Sequence, residues 1–186
     1  MSRIFSVLFV LHRPLQSRFT YVAAVALLAV AFFALAESSQ ALPPGKPLEI
    51  YFVDVEGGQA TLFFTPESQS LLFDTGWQGN AGRDADRIVA AAKKAGLSKI
   101  DFVLLTHYHQ DHAGGVPQLY ARIPVGAFID HGANRETGDQ ITEQTWEDYE
   151  RLVSNQSVKR IIAKVGDVLP FQGLRAEVVS SDGVLL

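Results

Sequence analysis

Four side chains able to ligate a metal fall within six positions of the chain: His107, His109, Asp111 and His112, in the stretch THYHQDHAGG over residues 106–115. Imidazole nitrogens and carboxylate oxygens are donors that borderline divalent cations such as zinc accept. The sequence contains no cysteine, so thiolate ligation and disulfides are excluded and any metal must rest on His, Asp or Glu. His107 and His109 are separated by one residue, and in extended backbone both rings project to one side while Tyr108 faces the other. Two imidazoles on one side make half of a tetrahedral zinc site. Gly114 and Gly115 are expected to let the chain turn sharply out of the cluster.

The elements around this stretch must hold it. KIDFVLLT (99–106) is nearly all apolar, the pattern of a strand buried on both faces, and it delivers the histidines at its carboxyl end. Upstream, LEIYFVDV (48–55), QATLFF (59–64) and SLLFD (70–74) are β-rich and joined by short turns, which predicts an antiparallel meander. After the glycine-rich loop TGWQGNAG (75–82), RDADRIVAAAKKAG carries Ala85, Ile88, Val89 and Ala92 at helical spacing, with acids early, lysines late and Gly96 closing the helix. A short helix is expected around Val116 to Arg122, and a strand over VGAFID (125–130). ITEQTWEDYERLVSN predicts a surface helix burying Ile141, Trp146, Tyr149 and Leu152. RIIAKVGDVLPF and LRAEVVSSDG read as hairpin material. Strands first, then strands alternating with helices, imply a mixed α/β sandwich with helices packed on sheets.

The first forty residues differ in kind. Arg3, Arg13 and Arg18 precede the uncharged run YVAAVALLAVAFFALA (21–36), followed by small residues and Pro43-Pro44-Gly45. This is the layout of a secretory signal peptide over residues 1–41, or of an uncleaved signal anchor, so the remainder (42–186) is expected to be exported, periplasmic or secreted. Residues 42–186 hold 13 basic against 19 acidic side chains, a net of −6, which gives no electrostatic pull toward nucleic acid.

With these residues in view, the chain resembles the metallo-β-lactamase superfamily. The H-x-H-x-D-H pattern after an apolar strand, the upstream DVEGGQATLF and the LLFDTG turn carry the resemblance, which runs from about Leu48 to Gly115. Asp54, Val55, Gly57, Gly58, Gln59 and Ala60 are similar to the opening of the extracellular domain of DNA-uptake competence proteins. The resemblance implies an αββα sandwich with one or two zinc ions at its edge. His107 and His109 would hold the first metal, and Asp111 and His112 the second. Asp111 would also orient the attacking water, and Asp74 would support the metal loop without ligating. His at position 109, where redox di-iron relatives carry Glu, implies zinc hydrolysis of a small-molecule or phosphodiester substrate rather than oxygen chemistry.

The same resemblance implies ligands that do not follow: a third His for the first metal, then a bridging Asp and a last His. After His112 the only histidine is His131, and the chain closes on SDGVLL, which looks like the start of a strand without a partner. Three readings stand. The chain is the N-terminal portion of a C-terminally truncated hydrolase domain, active only when the downstream ligands are supplied. Alternatively it is an inactive metal-binding or scaffold relative, or the site is completed by His131. In the preferred account His131 lines the pocket and Asp130 caps the turn beside it. Trp77 and Asn80 are candidates to border the substrate, and Gln59 is expected to bond its own turn.

Overall fold

The computed structural model describes residues 45–186; the expected signal segment over 1–41 lies outside the described residues. The meander forms as the β-rich segments and short turns predict. Strands β1 (Glu49–Phe52), β2 (Thr61–Phe64) and β3 (Ser70–Phe73) pair antiparallel, with Glu49 opposite Phe64 and Thr61 opposite Phe73. From β3 onward the sheet is parallel, running through β4 (Ile100–Leu104), β5 (Val125–Asp130) and β6 (Arg160–Ile162) in the order β1-β2-β3-β4-β5-β6. The crossovers are helical: α1 (Arg83–Lys94) between β3 and β4, α2 (Gln110–Ala113) and α3 (Val116–Tyr120) between β4 and β5, and α4 (Gln140–Val153) between β5 and β6.

Neighbouring strand residues point to opposite faces, and the two faces build two cores. Leu72, Val103 and Phe128 meet Ala85, Ile88 and Ala92 of α1, Leu119 of α3 and Tyr149 of α4. Leu71 and Ile129 face the other way, against Ala163, Leu169 and Phe171 from the segment after β6. The chain is thus a mixed α/β fold, a central sheet with helices on one face and, among the described residues, loops and short strands on the other. No helix among the described residues is long and apolar enough to cross a membrane.

Helix α1 ends as its sequence predicts: Gly96 sits at φ 76° and the Leu97 N–H bonds Ala92 O at 2.9 Å, the close of a left-handed cap. Helix α4 buries Tyr149 as expected and packs the partly buried Trp146 and Leu152 against the core, but Ile141 is exposed and two threonines, Thr142 and Thr145, are buried beside them, with Val153. The Asp139 side chain caps the Ile141 and Thr142 N–H groups and takes the Thr142 hydroxyl at 2.6 Å, while the Thr145 hydroxyl donates to Ile141 O at 2.9 Å. Each buried threonine therefore satisfies its polar group locally, and ranking positions by hydropathy passes over them.

The end of the chain also departs from expectation. Residues 160–162 extend the main sheet parallel to β5, with Ile161 opposite Ile129, while the expected pairing of the two last segments forms further on, with Val168 opposite Glu177 antiparallel and the Leu169 N–H on Ala176 O at 2.9 Å. Val184–Leu185 has a partner after all: it forms β8 against β7 (Ser180–Ser181). The two-residue turn between them, Asp182-Gly183, has φ 51° and 78°, the positive pair of a type I′ hairpin.

Candidate metal centre

Parallel pairing of β3 with β4 brings their carboxyl ends together, and this delivers the chemistry to one edge of the sheet. Asp74, the residue after β3, donates its N–H to Leu104 O at 2.8 Å. Its side chain is fully buried and accepts three hydrogen bonds: from the Thr106 N–H (2.8 Å), the Thr106 hydroxyl (2.7 Å) and His112 Nδ1 (2.8 Å). Asp74 adopts φ 56°, a left-handed conformation that Asp and Asn tolerate better than other side chains. Because a carboxylate only accepts, the His112 proton facing Asp74 sits on Nδ1, and its Nε2 lies 3.5 Å from Asp111 Oδ2.

The three imidazoles touch. His107 stands 4.5 Å from His109 and 4.0 Å from His112 between ring centroids, while Tyr108 turns the opposite way and is buried. Burial, with the neighbouring His112 and His109 adding to it, holds the His107 pKa below its ordinary value, against the pull of Asp74 and Asp111. Asp111 and His112 do not lie on the departing strand; they ride on the one-turn helix α2, which carries them back under His107. His109 Nε2 is met by the Glu136 carboxylate at 2.5 Å.

Backbone contacts lock this edge. The Gln59 N–H bonds Asp111 O (3.1 Å), Gly76 N–H bonds Gln59 O (2.9 Å), Thr75 N–H bonds His112 O (2.7 Å) and Gly115 N–H bonds Gly76 O (3.0 Å). The loops after β1, β3 and β4 are thereby stitched into one layer. Gly114 and Gly115 form the turn between α2 and α3, as expected, but with right-handed helical backbone at φ −62° and −75°. A Cβ on Gly115 would lie 2.2 Å from Thr75 O, so glycine is required there for close approach. The Gln59 side chain does bond locally, to the Thr61 hydroxyl at 3.0 Å.

The remaining candidates are placed as follows. His131 follows β5, packs on the Tyr108 ring at 4.9 Å and borders a pocket of about 240 Å³ shared with Thr106, His107 and Glu136; its Nδ1 is buried without a hydrogen-bond partner. It is not in ring contact with the other three histidines among the described residues. Asp130 does cap its turn, accepting from the Gly132 N–H at 2.7 Å, but it does more. It is buried, takes the Tyr149 hydroxyl at 2.6 Å, and is gripped by both Nε (2.7 Å) and Nη2 (2.9 Å) of Arg160. Arg160 lies over the Trp146 and Tyr149 rings at 5.5 and 5.6 Å. Trp77 Nε1 is buried without a partner beside Gly58, and Asn80 sits at φ 45° on the rim of the 75–82 loop.

His107 in ring contact with His109 and His112, Asp111 beside His112, and His112 bonded to a buried carboxylate are donors of the type a borderline divalent cation such as zinc takes. Among the described residues no three His, Asp or Glu side chains converge as a ready-made ligand set. Sequence reasoning missed Glu136 and Arg160, because each arrives from a distant element with no local periodicity to announce it.

A family model described as the metallo-beta-lactamase superfamily matches residues 53–180. Among curated proteins, a UPF0173 metal-dependent hydrolase of Herpetosiphon aurantiacus is 32% identical over 76 residues, covering 40% of this chain and 29% of that protein. A hydroxyacylglutathione hydrolase of Rhodopseudomonas palustris is 28% identical over 116 residues, 61% of this chain and 38% of that one. The chain thus matches less than half the length of either relative. Among solved structures, a HARLDQ-motif mutant metallo-beta-lactamase from Cronobacter sakazakii aligns at 22% identity with a TM-score of 0.45, over 72% of this chain and 50% of that one. The family model spans well over half of the sequence and takes in the whole histidine edge, so the chain belongs to the metallo-β-lactamase superfamily.

Proposed function

We propose that the chain is the metal-binding part of an exported zinc-dependent hydrolase acting on an acyl-type or phosphoester substrate. The observation that carries this reading is the buried Asp74 carboxylate bonded to His112 Nδ1. A carboxylate so placed fixes the imidazole's tautomer and offers its other nitrogen to a metal. In this account His107, His109 and His112 are the imidazole donors, Asp111 supplies an oxygen, and Asp74 acts through His112. Bound zinc would lower the pKa of water toward neutrality and draw charge from the substrate's carbonyl or phosphoryl oxygen. Asp111, half-buried beside His112, would also orient the attacking water. His131 and Thr106 border the space a substrate would enter.

The names of the relatives favour an acyl substrate, since a hydroxyacylglutathione is a thioester. Phosphodiester cleavage rests on the likeness of Asp54–Ala60 to the competence-protein opening and has no basic groove to support it. The full chain, purified with zinc, tests the proposal: zinc per chain is measured together with hydrolysis of a hydroxyacyl thioester of glutathione and of bis-p-nitrophenyl phosphate. Bound zinc with turnover, abolished in His109→Ala, supports it; no zinc and no turnover sinks it.

A second reading, a non-catalytic metal-binding relative, is favoured by the absence of a converged three-ligand set among the described residues. Bound zinc without turnover on either substrate is its signature. Export rests on the Arg-flanked apolar run before residue 41, and N-terminal sequencing of protein recovered outside the cytoplasm checks it.

A further inference from the structure

The loop between β5 and α4 is braced along its length. The Tyr108 hydroxyl donates to Gly132 O, and the Gly132 N–H is held by Asp130. Asn134 closes a tight turn on the backbone of Glu136 from both sides, accepting its N–H at 3.1 Å and donating to its carbonyl at 2.6 Å. Arg135, the residue between them, forks onto Asp182 with contacts of 2.5 and 2.6 Å. The Gly138 N–H is held by the Glu143 carboxylate at 2.8 Å. The product of this bracing is one contact: Glu136 reaches His109 Nε2, 27 residues away in sequence.

An exposed His–Glu pair by itself contributes little, and its ordinary explanation is a surface ion pair. Two facts set this pair apart. The Glu136 backbone is fixed before the side chain makes its contact, and His109 is in ring contact with His107 inside the donor cluster. A carboxylate accepts only, so His109 presents Nε2–H to Glu136, and Nδ1 is the nitrogen that remains for a metal. His112 shows the complementary arrangement, with Nδ1–H on Asp74 and Nε2 as the nitrogen that remains.

We infer that Glu136 is a positioning residue for the metal centre: it fixes the tautomer and orientation of His109 as Asp74 does those of His112, and it couples the 131–139 loop to metal loading. The inference rests on the proposed metal-binding reading. Nitrogen NMR of the histidine rings in the metal-free full chain tests the first part, and competition with a chromophoric zinc chelator tests the second. In the wild type the His109 ring is expected as the Nε2–H tautomer. In Glu136→Ala it becomes a tautomer mixture, and zinc affinity falls by roughly 10- to 100-fold, the usual effect of losing a carboxylate behind a ligating histidine. Glu136→Gln, which keeps an acceptor oxygen without the charge, recovers part of the affinity and serves if the alanine variant misfolds. Glu147→Ala, which removes an exposed acid on α4, leaves affinity unchanged. A Glu136→Ala chain that is folded and binds zinc as tightly as the wild type overturns this inference alone. A wild-type chain that takes up no zinc overturns both it and the functional reading.

Discussion

Asp74 carries more of the site than any ligand candidate, because three donors end on one buried carboxylate in a left-handed turn. Asp74→Ala removes the buried acceptor of the Thr106 N–H and hydroxyl and of His112 Nδ1; Thr106 is exposed and the His112 side chain is 24% exposed, so water replaces part of each bond and the cost is about 1 kcal/mol apiece. A total loss of about 3 kcal/mol in urea unfolding is expected, with weakened zinc binding. Asp74→Asn, which suits the same positive φ, costs less stability but still disturbs His112. His107 sets a pH dependence of its own. Its folded pKa lies below its ordinary 6.5, so the unfolded chain binds the extra proton more readily. Stability of the metal-free protein is therefore unaffected well above pH 6.5 and declines as pH falls through that value toward the depressed folded pKa. Urea midpoints between pH 8 and pH 5 check this, and His107→Gln should flatten that part of the curve. The lowered carboxyl pKa of Asp101 acts elsewhere. Burial opposes the shift, but hydrogen bonds from Lys99 and Ser70 outweigh it, so its contribution is lost only as pH falls below the ordinary carboxylate value of 3.8.

At the scale of elements, what was legible in the sequence is what local pattern specifies. Helix α1, strand β5 and the opposed directions of Tyr108 and His107 follow from periodicity and caps within a dozen residues. The buried threonines of α4, the parallel docking of β6 and the Glu136–His109 contact were not legible, since each depends on which distant element arrives opposite. The Asp130–Arg160 pair joins β5 to β6 and pins Tyr149 of α4, with Asp130 wholly buried and the Arg160 side chain only 18% exposed. Removing one partner of such a pair leaves a charge without compensation, so Arg160→Met is expected to cost roughly 3–5 kcal/mol by chemical denaturation. Gly115→Ala belongs to this scale as well. Its Cβ has no room against Thr75 O, and a loss of about 1–3 kcal/mol is expected, together with displacement of α2 and its two ligand candidates.

Across the whole molecule the two faces of the sheet are unequally covered. The helical face is closed by α1, α3 and α4. The opposite face keeps a cleft of about 620 Å³, lined by Phe73, Leu104, Ile129, Leu169 and Val184 among others, with Val184 and Leu185 exposed. A cleft of this size with apolar walls has room for a small apolar dye. Anilinonaphthalene sulfonate fluorescence should therefore rise with the folded chain, and Val184→Asp should reduce it without lowering the urea midpoint.

The donors of the candidate centre come from six consecutive positions, whereas the carboxylates that orient them come from residue 74 and residue 136. A denatured chain keeps the first set close together by covalent connectivity and loses the second. Zinc therefore has some affinity for the unfolded state, and only the part of its binding that depends on Asp74 and Glu136 favours the fold. Added zinc should raise the melting temperature by less than its native-state affinity would give by mass action alone. Removing either carboxylate should narrow that rise further, because it brings the folded site closer to what the unfolded chain already offers.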